Sequence, residues 1–133
     1  GRLGLPEVRL GMIPAFGGTQ RLPLVVGKTK AIEMMFKGLQ ITSEQACQMG
    51  LVNEVFSQKD LFDKSFDRAK RLALQATKAI AMIKKSVNTG LYQGFEKGIE
   101  MEQKAFKANI YSNDEKEGVD AFLSGRKPEF KGS

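Results

Sequence analysis

Apolar positions recur along this chain with two different periods. At the front, Leu3, Leu5, Val8 and Leu10 stand among polar residues as in a half-buried strand. Residues 1–13 therefore read as extended segments, interrupted by Pro6, which has no amide to give to a ladder. After Pro14, the pair Gly17 and Gly18 frees the backbone to turn, and Gly18 or Thr19 would cap a short helix through about Leu22, with Pro23 and Gly27 breaking the pattern. A helix is predicted over Thr29 to Phe36, with Gly38 as the left-handed residue just past its end. Thr42 and Gln45 fit a reciprocal capping box, so a further helix should run from Ser43 to Met49 and stop at Gly50. The segment LVNEVF that follows alternates well enough for a short strand.

From Lys59 onward the period becomes helical. Phe62, Phe66, Ala69 and Ala73 share one face of a first helix. Ile80, Ile83 and Val87 mark a second, closed by Gly90, and Phe95, Ile99, Phe106 and Ile110 mark a third. Ser112 with Glu115 forms another capping box, opening a last helix that ends at Gly125, with Pro128 beyond and a short basic tail. The expected division is residues 1–56, where short strands, a tight turn and short helices mix, and residues 57–133, a helical region suited to assembly and ligand binding. A few strands followed by a mostly helical body leave ladder groups without partners and apolar faces without cover, which reads as a fragment of a larger sheet-containing fold. Such apolar surface should drive association or depend on a partner chain.

Composition narrows the chemistry. The chain has no histidine, which excludes a Ser-His-Asp triad, a Cys-His pair and an HExxH zinc site within it. No metal is expected. The lone Cys47 makes no intrachain disulfide, fits a reducing compartment and reads as a small buried side chain on a short helix. No apolar run is long enough to cross a bilayer, and the expected location is cytoplasmic. With 21 basic and 15 acidic residues the formal charge is +6, favouring an anionic partner.

Two stretches are candidates for a site. In PEVRLGMIPAFGGTQRL, Glu7 lies between apolar neighbours and just ahead of a tight turn. Facing inward it would be desolvated, which favours the protonated acid and suits proton exchange near neutrality. The glycine pair matches neither a dinucleotide fingerprint nor a phosphate loop. Lys78, Lys84, Lys85, Arg126 and Lys127 form either an anion-binding surface or simply a solvated face.

Together, the opening stretch, ITSEQACQMGLVNEVF and EGVDAFLSGRKPEFKG resemble the C-terminal half of the enoyl-CoA hydratase/isomerase (crotonase) family, in order and over essentially the whole chain. The resemblance implies the C-terminal portion of an α/β crotonase-like (ClpP/crotonase) fold, predominantly helical with one or two short strands near the N-terminus. It further implies hydration of 2-enoyl-CoA thioesters in fatty acid β-oxidation. Glu7 would then be the catalytic glutamate of the family's Pro-Glu motif, beside Pro6. Pro14, Ala15, Phe16 and Gly17 would stand at the turn beside the acyl pocket, where Ala15 and Phe16 add bulk that would favour shorter acyl chains. Phe106 and Phe122 match aromatic positions near the adenine of coenzyme A, and Lys127 belongs to the basic cluster near its phosphates. The cluster here opens with Gly125 where the family usually has a lysine.

The resemblance implies no cofactor apart from the coenzyme A of the substrate, and a homo-oligomer, trimer or dimer of trimers. It also places both oxyanion-hole amides, and a hydratase's second glutamate, on a preceding half, so this stretch alone should be essentially inactive. An isomerase using the same glutamate, a non-catalytic helical assembly module and a basic nucleic-acid-binding surface are the alternatives.

Overall fold

Leu3 and Ile41 face each other across a two-stranded antiparallel sheet, and that pairing organises the front of the molecule. In the computed structural model, which describes residues 1–133, β1 is Arg2–Gly4 and β2 is Gln40–Thr42, with Arg2 opposite Thr42 and Gly4 opposite Gln40. The rest of the expected extended stretch is not strand. Glu7–Leu10 forms a 3₁₀ turn, held by Arg9 N–H to Pro6 O at 2.9 Å and Gly11 N–H to Val8 O at 3.0 Å. The apolar alternation there does not reach the core, since Val8 and Leu10 are exposed.

Helix α1 spans Gly18–Val26 and α2 spans Lys28–Lys37. Pro23 does not end α1. It lies inside the helix, forgoing one ladder bond, while Gly27 N–H still closes on Pro23 O at 3.0 Å and Leu22 is buried. Gly38 takes the left-handed conformation after α2, as its position predicts. Helix α3, Ser43–Gln48, starts from a complete capping box: Gln45 N–H donates to Thr42 Oγ1 at 3.2 Å and Thr42 N–H to Gln45 Oε1 at 2.9 Å. Residues 51–56 are not a strand, because the Leu51 and Val52 amides both turn back to Ala46 O and finish the end of α3.

These elements enclose a small core of Leu22, Ala31, Met34, Ile41 and Ala46, with Leu3, Leu5 and Met35 among the side chains packed against it. Met34 is its largest fully buried member. Burial of a side chain of that size contributes about 1.5–3 kcal/mol. Cys47 is only half-buried, its thiol 3.7 Å from Asn53 O.

The chain divides into two units, Gly1–Leu61 and Phe62–Ser133. The second is all helical: α4 (Leu61–Ala73, whose first residue closes the first unit), α5 (Thr77–Gln93), α6 (Phe95–Asn109) and α7 (Asn113–Leu123). Gly90 does not close α5 but lies within it. A side chain at Gly98 of α6 would come 2.7 Å from Gly90 Cα, so the missing side chains let the two helices cross closely. Ser112 Oγ caps α7 by accepting from Glu115 N–H at 3.0 Å. The return half of that box is absent, because Ser112 N–H is already bonded to Asn109 O. The stripe phenylalanines Phe62, Phe66, Phe95 and Phe106 are exposed in this chain, as is Phe122. Phe62 and Phe66 stack on each other with centroids 5.9 Å apart, and Lys70 Nζ lies over the second ring.

Candidate active site

Glu7 is the first residue of the 3₁₀ turn, directly after Pro6, whose carbonyl is tied up by Arg9 N–H. The side chain is half-buried, and its Oε2 is out of solvent with no hydrogen-bond partner. A buried carboxylate oxygen normally finds a donor, since an unpaired one costs about 1–3 kcal/mol. One left open is a lone pair kept available for a proton or an incoming donor.

The turn from Pro14 to Gly18 is fixed against this segment. Pro14 is buried, and Gly17 adopts φ 78°, a conformation glycine accepts without strain. A side chain at Gly18 would come 2.7 Å from Pro14 Cβ and 2.9 Å from Leu5 Cδ1, so Gly18 allows the turn to press on the residue two before Glu7. Arg21, which the sequence pattern did not single out, closes the turn by donating from Nη2 to Phe16 O. The only sequence trace of that role is an arginine one helical turn past the glycine pair.

Beside the turn lies an apolar cavity of about 310 Å³, lined by Leu5, Gly18, Leu22, Val25, Met34 and Leu51 among others. Glu7, Ala15 and Phe16 do not line it, and Phe16 is 94% exposed. Thus the Pro14–Gly18 turn packs on Leu5, which Pro6 and Glu7 follow directly in the chain, while Ala15 and Phe16 lie exposed on the outside of the turn.

The other candidates lie in the second unit, in three separate places. Phe106 lines a groove of about 340 Å³ between α5 and α6, with Met82, Ile83 and Val87. Phe122 is 84% exposed on α7. Lys127 lines a third groove with Arg71, Pro128 and Phe130. Arg126 is not part of an open basic surface. It donates to Glu117 Oε1 at 2.6 Å and to Asp120 Oδ2 at 2.7 Å, so its charge is spent within the chain. Those hydrogen bonds push the Arg126 pKa up, and hold the Glu117 carboxyl down at about 2.

An acid beside a proline, a Pro-x-x-Gly-Gly turn anchored by a buried Pro14 and an apolar cavity agree with the resemblance drawn from the sequence, and the comparison with known proteins decides it. Residues 1–133 match the family model for enoyl-CoA hydratase/isomerase. The chain belongs to that family. It is 38% identical to a mitochondrial enoyl-CoA hydratase of Pongo abelii over 126 residues, 95% of this chain and 43% of that protein. It is 37% identical to 2,3-dehydroadipyl-CoA hydratase of Escherichia coli K12, over 98% of this chain and 51% of that one. Its fold superposes on a crystal structure of an enoyl-CoA hydratase from Geobacillus kaustophilus HTA426 with a TM-score of 0.92 at 38% identity, covering 100% of this chain and 50% of that chain. The chain thus has the crotonase fold of these hydratases and spans about half the length of the curated relatives it matches. No helix of this chain is long and apolar enough to cross a membrane.

Proposed function

We propose that this chain supplies the acid/base carboxylate and part of the coenzyme A surface of an enoyl-CoA hydratase, which adds water across the double bond of a 2-enoyl-CoA thioester. The observation that carries this reading is the Glu7 side chain, with Oε2 buried and unpartnered behind a turn that Pro14, Gly17 and Gly18 hold rigid. Such an oxygen can accept a proton from water, or return one to carbon, without first breaking a bond within the protein. The positive balance of the chain suits a thioester that carries phosphates. By family resemblance the amides that polarise the thioester carbonyl lie outside residues 1–133, so turnover needs a chain of full family length. No cofactor beyond the substrate's coenzyme A is invoked. The exposed phenylalanines of α4, α6 and α7 support burial against another chain. By family resemblance that chain is a further copy, in a trimer or dimer of trimers, and the lone cysteine suits the reducing cytoplasm.

The test is Glu7→Gln in a chain of full family length, with hydration of a short 2-enoyl-CoA followed by loss of the conjugated absorbance. Removing a general acid/base costs about 10²–10⁴-fold in kcat, and turnover equal to wild type rules the role out. Enoyl-CoA isomerase is the second reading, favoured because the matching family description spans both activities and one glutamate suffices to shuttle a proton between carbons. Parallel assays with 2-enoyl and 3-enoyl thioesters separate the two, since only a hydratase consumes the former by adding water.

A further inference from the structure

The chain after α7 folds back along that helix, and three of the helix's acids hold it there. Asp114, 4% exposed, accepts the Lys131 amide at Oδ1 (2.7 Å) and the Gly132 amide at Oδ2 (2.8 Å), while its own amide donates to Ser133 O at 3.0 Å. One turn on, Glu117 Oε1 accepts the Glu129 amide at 2.8 Å, and both Glu117 oxygens accept from Arg126. Asp120 accepts from Arg126 as well, and Arg126 N–H caps the helix end on Ala121 O at 3.0 Å. The tail is therefore pinned from one end of α7 to the other.

A carboxylate this buried is costly unless donors meet it, and an apolar residue would fill the position without that cost. Helix capping does not explain it, because Ser112 already accepts the Glu115 amide. Both Asp114 oxygens are devoted to the tail. What the tail carries is Lys127, Pro128 and Phe130, which with Arg71, Leu74 and Gln75 line a groove of about 370 Å³. Since Arg126 is neutralised by Glu117 and Asp120, Arg71 and Lys127 are the cations left to this groove.

We propose that Asp114 is a positioning residue: it fixes the C-terminal strap so that Lys127 stands ready beside Arg71 for the anionic end of the thioester substrate. The inference rests on the function proposed above. Asp114→Asn turns one acceptor oxygen into a donor facing a backbone amide, and so releases part of the strap. In a chain of full family length, amide exchange at Lys131 and Gly132 should accelerate by about tenfold or more, the loss of one charge-assisted hydrogen bond. KM for a 2-enoyl-CoA should rise while kcat stays near wild type, because the strap binds and does not react. In a Lys127→Ala background Asp114→Asn should change KM no further.

Gly132→Ala provides a second route, since Gly132 holds a left-handed φ of 77° that a side chain strains and its Cβ would also lie 2.6 Å from Thr77 Oγ1, which loosens the strap with the acid intact. It should give the same split between KM and kcat, and it carries the test should the Asp114 variant not fold. Unchanged exchange at the two amides, a loss confined to kcat, or a full KM effect persisting without Lys127 overturns the proposal. If wild-type protein turns over no enoyl thioester, the functional reading fails by itself, and the strap is judged on exchange alone.

Discussion

Adding one methyl group at Gly18 tests the core of the site directly. The new Cβ would lie 2.7 Å from Pro14 Cβ and 2.9 and 3.3 Å from the two methyls of Leu5, where ordinary contact begins at 3.4 Å. Leu5 can turn away, but Pro14 is a buried ring with no rotamer to escape into, so the turn itself must move by several tenths of an ångström. Overpacking of this kind costs about 1–3 kcal/mol. Alanine recovers at most about 1 kcal/mol of helix propensity, and less at the first residue of α1 than in a helix interior. The net loss is therefore about 1–2 kcal/mol, a five- to thirtyfold rise in the unfolded fraction. Urea unfolding of Gly18→Ala in a chain of full family length should show a lower midpoint with the slope unchanged, whereas Gln20→Ala on the exposed side of the same helix should not. Because Leu5 leads straight into Pro6 and Glu7, hydration should also fall by more than the loss of folded protein explains. A midpoint at or above wild type would refute the packing argument.

Other perturbations follow from the same geometry. Thr42→Ala removes the hydroxyl half of the α3 capping box and should cost about 0.5–2 kcal/mol, with faster exchange at the Gln45 amide. Gly98→Ala sets a methyl 2.7 Å from Gly90 Cα, a backbone atom that cannot rotate aside, so α5 and α6 must separate at a cost of about 1–3 kcal/mol, read as a lower unfolding midpoint. The hydrogen bond from Arg126, seconded by the Glu129 amide, holds Glu117 at about 2 against an ordinary 4.5. A lowered acid contributes stability that is complete above its unfolded pKa and lost as the pH falls through the folded one. The stability difference between wild type and Glu117→Gln should therefore be constant above pH 4.5 and shrink as the pH falls toward 2, and a difference that instead grew on acidification would contradict the pairing.

What could be read from the sequence was what is decided within a few residues. The capping box at Thr42, the left-handed Gly38 after α2, the Ser112 cap and the existence of the helices α4 to α7 depend on neighbours one helical turn away, and these formed, though α5 runs past its expected end. The Pro-Glu and Gly-Gly stretches stood out as a candidate site through the family resemblance, and the left-handed Gly17 and the turn it makes are local as well. Of the strands, β1 lies within the stretch that alternation marked as extended, but β2 was not legible in this way. β2 is three residues long, too short for alternation to register, and exists because β1 pairs with it from a distant part of the chain. LVNEVF had the alternation and no partner, so its amides went to α3 instead. The glycine at 90 looked like a helix end because only the approach of α6 gives its bare backbone another use.

The sequence by itself carried the family resemblance and the positions of most helices, because motifs, caps and periods are short-range properties of the chain. Tertiary structure alone decided that Glu7 Oε2 is buried without a donor, that Arg21 closes the Phe16 turn, and that Asp114 and Glu117 bind the tail along α7. Each of these is a contact whose partner is chosen by packing, and no spacing within the chain encodes which donor will be left over once the apolar surfaces have met.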